Sequence, residues 1–158
     1  MRSDARSISV IIKYMELTSP NFQNGGSIPA EFACDGRNAS PELNIADVPN
    51  GAKSLVLIMD DPDASRGVTF THWVVWNIPV GVKTISEGVV PSGVVIGQND
   101  FGNFGYGGPC PPVGLTHHYH FKLYALGETL DLGRDIPLSV LEEKIKKHLL
   151  EEAQLIGI

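Results

Sequence analysis

Two cysteines, Cys34 and Cys110, are all that this chain of 158 residues contains. That is too few for a disulfide scaffold, and neither stands in a Cys-x-x-Cys pair, so no zinc knot is expected. Charge is scarce as well. Only 19% of the residues are Asp, Glu, Lys or Arg, and 12 basic against 18 acidic side chains leave a formal net charge of −6. Nucleic-acid binding, which needs a basic footprint, finds no support there. No apolar run approaches the roughly 18 residues of a membrane span, so no integral membrane association is expected. The opening MRSDARSISVIIKYM is a poor secretory leader: its apolar part is short, Lys13 interrupts it, and no small-residue cleavage site follows. Residues 1–15 read instead as an extension, disordered or upstream of an alternative start at Met15, ahead of a single domain over 16–158. A cytoplasmic location is expected. Asn38-Ala39-Ser40 fits the glycosylation pattern, but without a leader the match carries no meaning. Also missing are Gly-x-Ser-x-Gly and His-Glu-x-x-His, the local signatures of elbow-type serine hydrolases and zinc proteases.

What the chain does hold is turn-formers between short apolar runs. Seventeen glycines and eleven prolines are too many for a helix bundle, and they separate segments such as SLVLIMD and HWVVWNIPV. Residues 54–60 predict a strand buried on both faces, since Leu55, Val56, Leu57, Ile58 and Met59 leave no polar side, and THWVVWNI predicts its partner. Residues 86–115 hold eight glycines, a long irregular loop whose Phe101, Phe104 and Tyr106 favour order. LSVLEEKIKKHLLEEAQLI predicts one long C-terminal helix. Ser139 and Glu142 suggest a capping box, and Leu141, Ile145, Leu149 and Ala153 form a stripe that packs on a sheet.

The polar residues of interest cluster in GPCPPVGLTHHYHF, residues 108–121. On a strand over 116–124, period two puts His117, Tyr119, Phe121 and Leu123 on one face and His118, His120 and Lys122 on the other. The apolar company marks the first row as inward. His117 and Tyr119 must then find partners or line a pocket. Asp61 ends an entirely apolar strand, where a carboxylate is costly unless paired with imidazole or arginine. A metal site from His117, His118 and His120 is not expected, because adjacent strand residues point to opposite faces.

Four stretches, CDGRNASPEL at 34–43, DPDA at 61–64, HWVVWNIP at 72–79 and GPCPPVGLTHHYHF at 108–121, resemble in order and spacing the phosphatidylethanolamine-binding protein family. The bacterial and archaeal branch of Raf-kinase-inhibitor-like proteins is most similar. The resemblance covers about residues 16–158. It implies a mainly β fold, two antiparallel sheets packed as a sandwich with a short C-terminal helical element, and a small pocket for phosphate-like anions. By motif position that pocket falls to Asp61, His72, Pro111, His117 and Tyr119, with Asp63, Trp73 and Gly108 beside them. The Gly-Pro-Cys-Pro-Pro turn would be a rigid wall whose glycine amides point at the anion as a backbone nest does. Asp61 shares the ligand's sign, so its expected task is to orient a histidine and hold it protonated. The family commonly has DPDAP and HRY where this chain has Ser65 and His118. Cys34 and Cys110 stand in two motifs that approach one end of the sandwich, which leaves their pairing open in a reducing cytoplasm.

The function that follows is non-enzymatic binding of a small anion or phosphorylated ligand, without cofactor or metal. Family members can inhibit kinases or proteases by binding them. The specificity surface would be the 86–107 loop with Phe101, Phe104 and Tyr106, and the outward row His118, His120 and Lys122, unless the loop aromatics pack internally or seal a homodimer. The alternative is a His/Asp-dependent hydrolase or phosphotransfer enzyme.

Overall fold

A computed structural model describes residues 12–158; residues 1–11, most of the proposed extension, lie outside it. The strands among the described residues are β1 (Glu16–Thr18), β2 (Leu43–Ala46), β3 (Ser54–Asp61), β4 (Phe70–Ile78), β5 (Thr84–Ile85), β6 (Val95–Ile96), β7 (Tyr119–Leu126) and β8 (Leu149–Gly157), with one α-helix, α1 (Leu138–His148), and short 3-10 turns at Ala30–Phe32 and Ser65–Gly67. They make two antiparallel sheets, β1-β2-β5 and β6-β4-β3-β7-β8. Every residue of β3 is buried, as its continuous apolar run requires of a central strand covered on both faces.

Two cores account for that burial. Leu55, Leu57 and Met59 of β3 meet Leu17, Leu43 and Ile45 of the small sheet in the sandwich interior. Val56 and Ile58, alternate residues of the same strand, meet Leu141 and Ile145 of α1 on the other side. Met15, at the edge of the described chain, is 4% exposed and belongs to the first core.

The C-terminal segment is not one helix. It is helical only through His148, then extends as β8 and pairs with β7 from Leu126↔Leu149 to Tyr119↔Gly157. An apolar spacing of four is also a multiple of two, so Leu149 and Ala153 fit either a helical stripe or one face of a strand. Hydrogen bonding along a free edge of β7 decides between them, and Leu149 ends up 40% exposed. Nor is there a capping box: Pro137 is the N-cap, no side chain caps the helix, and Ser139 falls inside the first turn. Proline's fixed φ sets the chain up to enter the helix without such a cap. The far end of β8 is covered by the 24–28 segment, through Gly25 N–H to Ile156 O at 2.7 Å and Ile158 N–H to Gly26 O at 2.9 Å.

Cys34 and Cys110 form a disulfide, with Cα atoms 5.4 Å apart. The pairing joins the 34–38 turn to the proline-rich loop. No helix among the described residues is long and apolar enough to cross a membrane.

Candidate functional site

The ladder between β3 and β4 slips by one residue where Met59 pairs with Trp73 and Asp60 with Thr71. His72 is the extra residue. A bulge of this kind breaks the alternation of side chains and re-aims one of them. Here Trp73 keeps its place in the sandwich core, while His72 lines a cavity with Phe70 and Asp61. On β7, Tyr119 shares the inward row with Phe121 and Leu123, and His117 stands two residues ahead of it on the same side.

These residues bound a cavity of about 230 Å³ at one end of the sandwich, whose wall also includes Ala64, Ser65, Phe101, Cys110 and Pro112. Asp61 is the organising group. Its Oδ2 accepts from His117 Nδ1 at 2.6 Å and its Oδ1 accepts from the Asp63 N–H at 2.8 Å. Both carboxylate oxygens are therefore committed to protein donors. With Nδ1 of His117 donating to Asp61, Nε2 is the nitrogen left for the cavity. His72 Nδ1 lies 2.7 Å from Gly107 O; a carbonyl only accepts, so Nδ1 carries the proton and Nε2 is again the free position. The third group is Tyr119, whose buried hydroxyl has no hydrogen-bond partner among the described residues. A buried donor left unpaired costs about 1–3 kcal/mol, and an acceptor arriving in the cavity removes that cost.

Phe70, His72 and Phe101 make an aromatic wall, with Phe70 and Phe101 centroids 4.7 Å apart edge to face and His72 5.5 Å from Phe101. Asn99, 4% exposed, builds the turn that carries Phe101: its Oδ1 accepts from the Phe101 and Asn103 N–H groups, and its Nδ2 donates to Gly105 O.

Burial holds the His72 imidazole below its ordinary value of 6.5, outweighing the Gly107 carbonyl and the Asp61 charge, which pull the other way. Burial also pushes the Tyr119 phenol up, reinforced by Asp61 and Asp63, so it stays a donor at all ordinary pH. Acidification should therefore cost stability through His72. The unfolded chain gains a proton as pH falls through about 6.5, which the folded chain accepts only at lower pH. The contribution is whole above that value and is lost as pH falls toward the lowered His72 value. Urea unfolding between about pH 5 and 8 should show a steeper loss for the parent than for His72→Phe; equal slopes would exclude this role.

Four residues that the resemblance assigned stand elsewhere. Gly108 does not offer its amide to the cavity: that N–H donates to Asn38 Oδ1 at 2.7 Å, and the Gly107 N–H to His72 O at 2.9 Å. There is thus no free amide nest at these two glycines. Pro112, not Pro111, lines the wall. Trp73 faces the core, its ring 5.4 Å from that of Tyr106. Asp63 is exposed and accepts from both the side chain and the backbone of His118, at 2.7 and 2.8 Å; the imidazole hydrogen bond is the first cause of its carboxyl lying below the usual range. The loop aromatics are partly spent as well. Tyr106 donates to Phe32 O at 2.9 Å, Phe101 lines the cavity and Phe104 lies under Arg134. In the outward row, Lys122 pairs with Asp60 at 2.9 Å. Phe70 carries no sequence signal as a wall residue, whereas Phe101, expected as an ordered loop aromatic on the specificity surface, stands instead in the cavity wall.

Among the described residues no group of three His, Cys, Asp or Glu side chains is placed to hold a metal ion. The family model described as phosphatidylethanolamine-binding protein matches residues 18–158. A UPF0098 protein of Aquifex aeolicus is 48% identical over 150 positions, covering 91% of this chain and 87% of that one. Another from Pyrococcus abyssi is 44% identical over 152, covering 91% and 84%. Among solved structures, Escherichia coli YbcL, described as a new member of the mammalian PEBP family, superposes with a TM-score of 0.85 at 31% identity, covering 92% of this chain and 97% of that one. The PEBP homolog CT736 of Chlamydia trachomatis also scores 0.85, at 38% identity and with 91% and 95% covered.

Proposed function

The chain belongs to the phosphatidylethanolamine-binding protein family, and from that premise we propose that it is a non-enzymatic binding protein for a small anion, a phosphate or phosphomonoester. The observation that carries this reading is the unpartnered Tyr119 hydroxyl in a cavity that also receives the free nitrogens of His72 and of the Asp61-oriented His117. Phosphate oxygens accept hydrogen bonds: the Tyr119 hydroxyl donates as it stands, and an imidazole Nε2 donates once it carries a proton. Asp61 contributes by orientation: both of its oxygens are bonded within the protein, and its Oδ2 fixes the ring of His117 through Nδ1. We place the protein in the cytoplasm and assign it a regulatory role, in which the ligand's occupancy alters how the surrounding surface meets a kinase or protease.

Neutral His72 presents a lone pair, which repels a dianion until the imidazole or the ligand takes up a proton. Phosphate should therefore bind several-fold more tightly at about pH 6 than at pH 8. Tyr119→Phe removes one donor without changing shape and should weaken binding about ten- to a hundredfold, the usual value of one hydrogen bond to a charged group. Calorimetry with inorganic phosphate and phenyl phosphate measures both; affinity independent of pH and of Tyr119 would defeat the reading.

One observation favours a second reading. Asp61 and His117 form the base-and-orienter half of a nucleophilic triad, and Ser65 lies on the same cavity wall. Turnover of p-nitrophenyl phosphate or acetate that disappears in both Ser65→Ala and His117→Ala would establish an enzyme; the binding reading expects none.

A further inference from the structure

We propose that the Cys34–Cys110 disulfide is a redox-controlled tether on the cavity, and that its reduction frees the proline-rich wall and weakens anion binding. The ligand part rests on the anion-site reading above. Cys110 lines the cavity and is exposed to solvent, so a reductant can reach the bond. Exposed disulfides belong to the more reducible class, and those that form in a reducing cytoplasm are usually redox-responsive.

The restraints on the wall show what the bond does. Up to Cys110 the loop is fastened residue by residue: Tyr106 to Phe32 O, the Gly107 N–H to His72 O, the Gly108 N–H to Asn38 Oδ1, and the Cys34 N–H to Pro109 O at 3.0 Å. Beyond it residues 111–116 are all exposed, and among the described residues their one backbone hydrogen bond outside regular elements, Leu115 N–H to Pro112 O, is internal to the loop. Pro111 and Pro112 have no N–H with which to fasten themselves. Six residues therefore hang between two anchors, the disulfide at Cys110 and the His117–Asp61 pair. Opening the disulfide leaves the first anchor to a single backbone bond, at Pro109 O. The freed segment includes Pro112 of the cavity wall and leads directly into His117.

The step balances as thiol–disulfide exchange with a dithiol. One thiolate of the reductant attacks a sulfur of the bridge and forms a mixed disulfide. The second thiolate displaces it, so that the chain carries two thiols and the reductant a disulfide, with two electrons transferred.

Oxidised protein, protein reduced with dithiothreitol, and Cys34→Ser/Cys110→Ser are compared in two measurements. Backbone order parameters of Val113–Thr116 should fall on reduction to below about 0.6 while β3 and β7 hold near 0.85, which also shows that the fold survives. The dissociation constant for inorganic phosphate should rise at least fivefold. Order parameters unchanged by reduction overturn the tether and leave the anion site standing. Absence of phosphate binding to the oxidised protein overturns the anion-site reading and the ligand half of this proposal together, while the order parameters still decide the tether. A bridge that dithiothreitol cannot open in the folded protein refutes the redox role outright.

Discussion

Alanine at Asp61 should cost about 3 kcal/mol of stability and weaken phosphate binding at least tenfold. The side chain is only 5% exposed and holds two donors, His117 Nδ1 and the Asp63 N–H. Removing it leaves both without a partner at the cavity's edge, and the penalty for an abandoned buried donor exceeds the net value of the bond it made. Affinity falls for a separate reason, because His117 loses both the bond that orients it and the carboxylate charge beside its ring. Asp61→Asn separates the two effects. Its amide oxygen can still accept from one donor, so the stability loss should shrink to about 1 kcal/mol, whereas the missing charge should keep binding weak. Urea unfolding and calorimetry provide the two numbers. An Asp61→Asn protein that binds phosphate as the parent does would remove Asp61 from the site's electrostatics.

Gly108→Ala should be comparably damaging, and the damage should fall on stability. An added Cβ would come 2.2 Å from Phe32 O and 2.9 Å from Ala33 C, both main-chain atoms, and 2.8 Å from Asn38 Oδ1. The 105–110 strap must then lift off the 32–38 turn, at a cost of about 2–3 kcal/mol. Gly114→Ala is the matched comparison. It has open space around it but a φ of +83°, so about 1 kcal/mol of backbone strain is expected there and no clash. Alanine keeps the main-chain N–H, so the clash of its Cβ with Phe32 O and Ala33 C sets the outcome: the stability loss should dominate, and a Gly108→Ala protein as stable as the parent would contradict that packing.

Much of the site was legible because it lies where sequence periods are unambiguous. Residues 55–59 are apolar without a break, and only a strand covered on both faces explains that. The row His117, Tyr119, Phe121, Leu123 declares its inward face by its own company, and a carboxylate at the end of β3 had to be paired. The illegible parts each hide behind a broken period. His72 reaches the cavity through a bulge, and strict alternation from Trp73 would have put it with Val74's neighbours beneath α1. In the Pro111-Pro112 turn no period exists to say which ring faces in. The passage from α1 to β8 falls among residues whose spacing satisfies helix and strand alike, so only the free edge of β7 settles it. The glycine amides of 107 and 108 were assigned a ligand because their partners, His72 O and Asn38 Oδ1, are distant in sequence and invisible until the chain is folded.

The strand order also constrains how the chain can be made. β3 lies between β4, which follows it directly, and β7, which begins at Tyr119, about forty residues after β4 ends at Ile78. During synthesis at about 5–20 residues per second, the β3–β4 hairpin waits some 2–8 seconds with one edge of its most apolar strand uncovered. That edge carries no proline, and its charges stand only at the Asp60-Asp61 end. The interval between ribosomal emergence of β4 and of β7 is therefore the period in which nascent chains are most open to pairing with one another, and the two aspartates that later serve the finished protein are the only charges on the strand to discourage it.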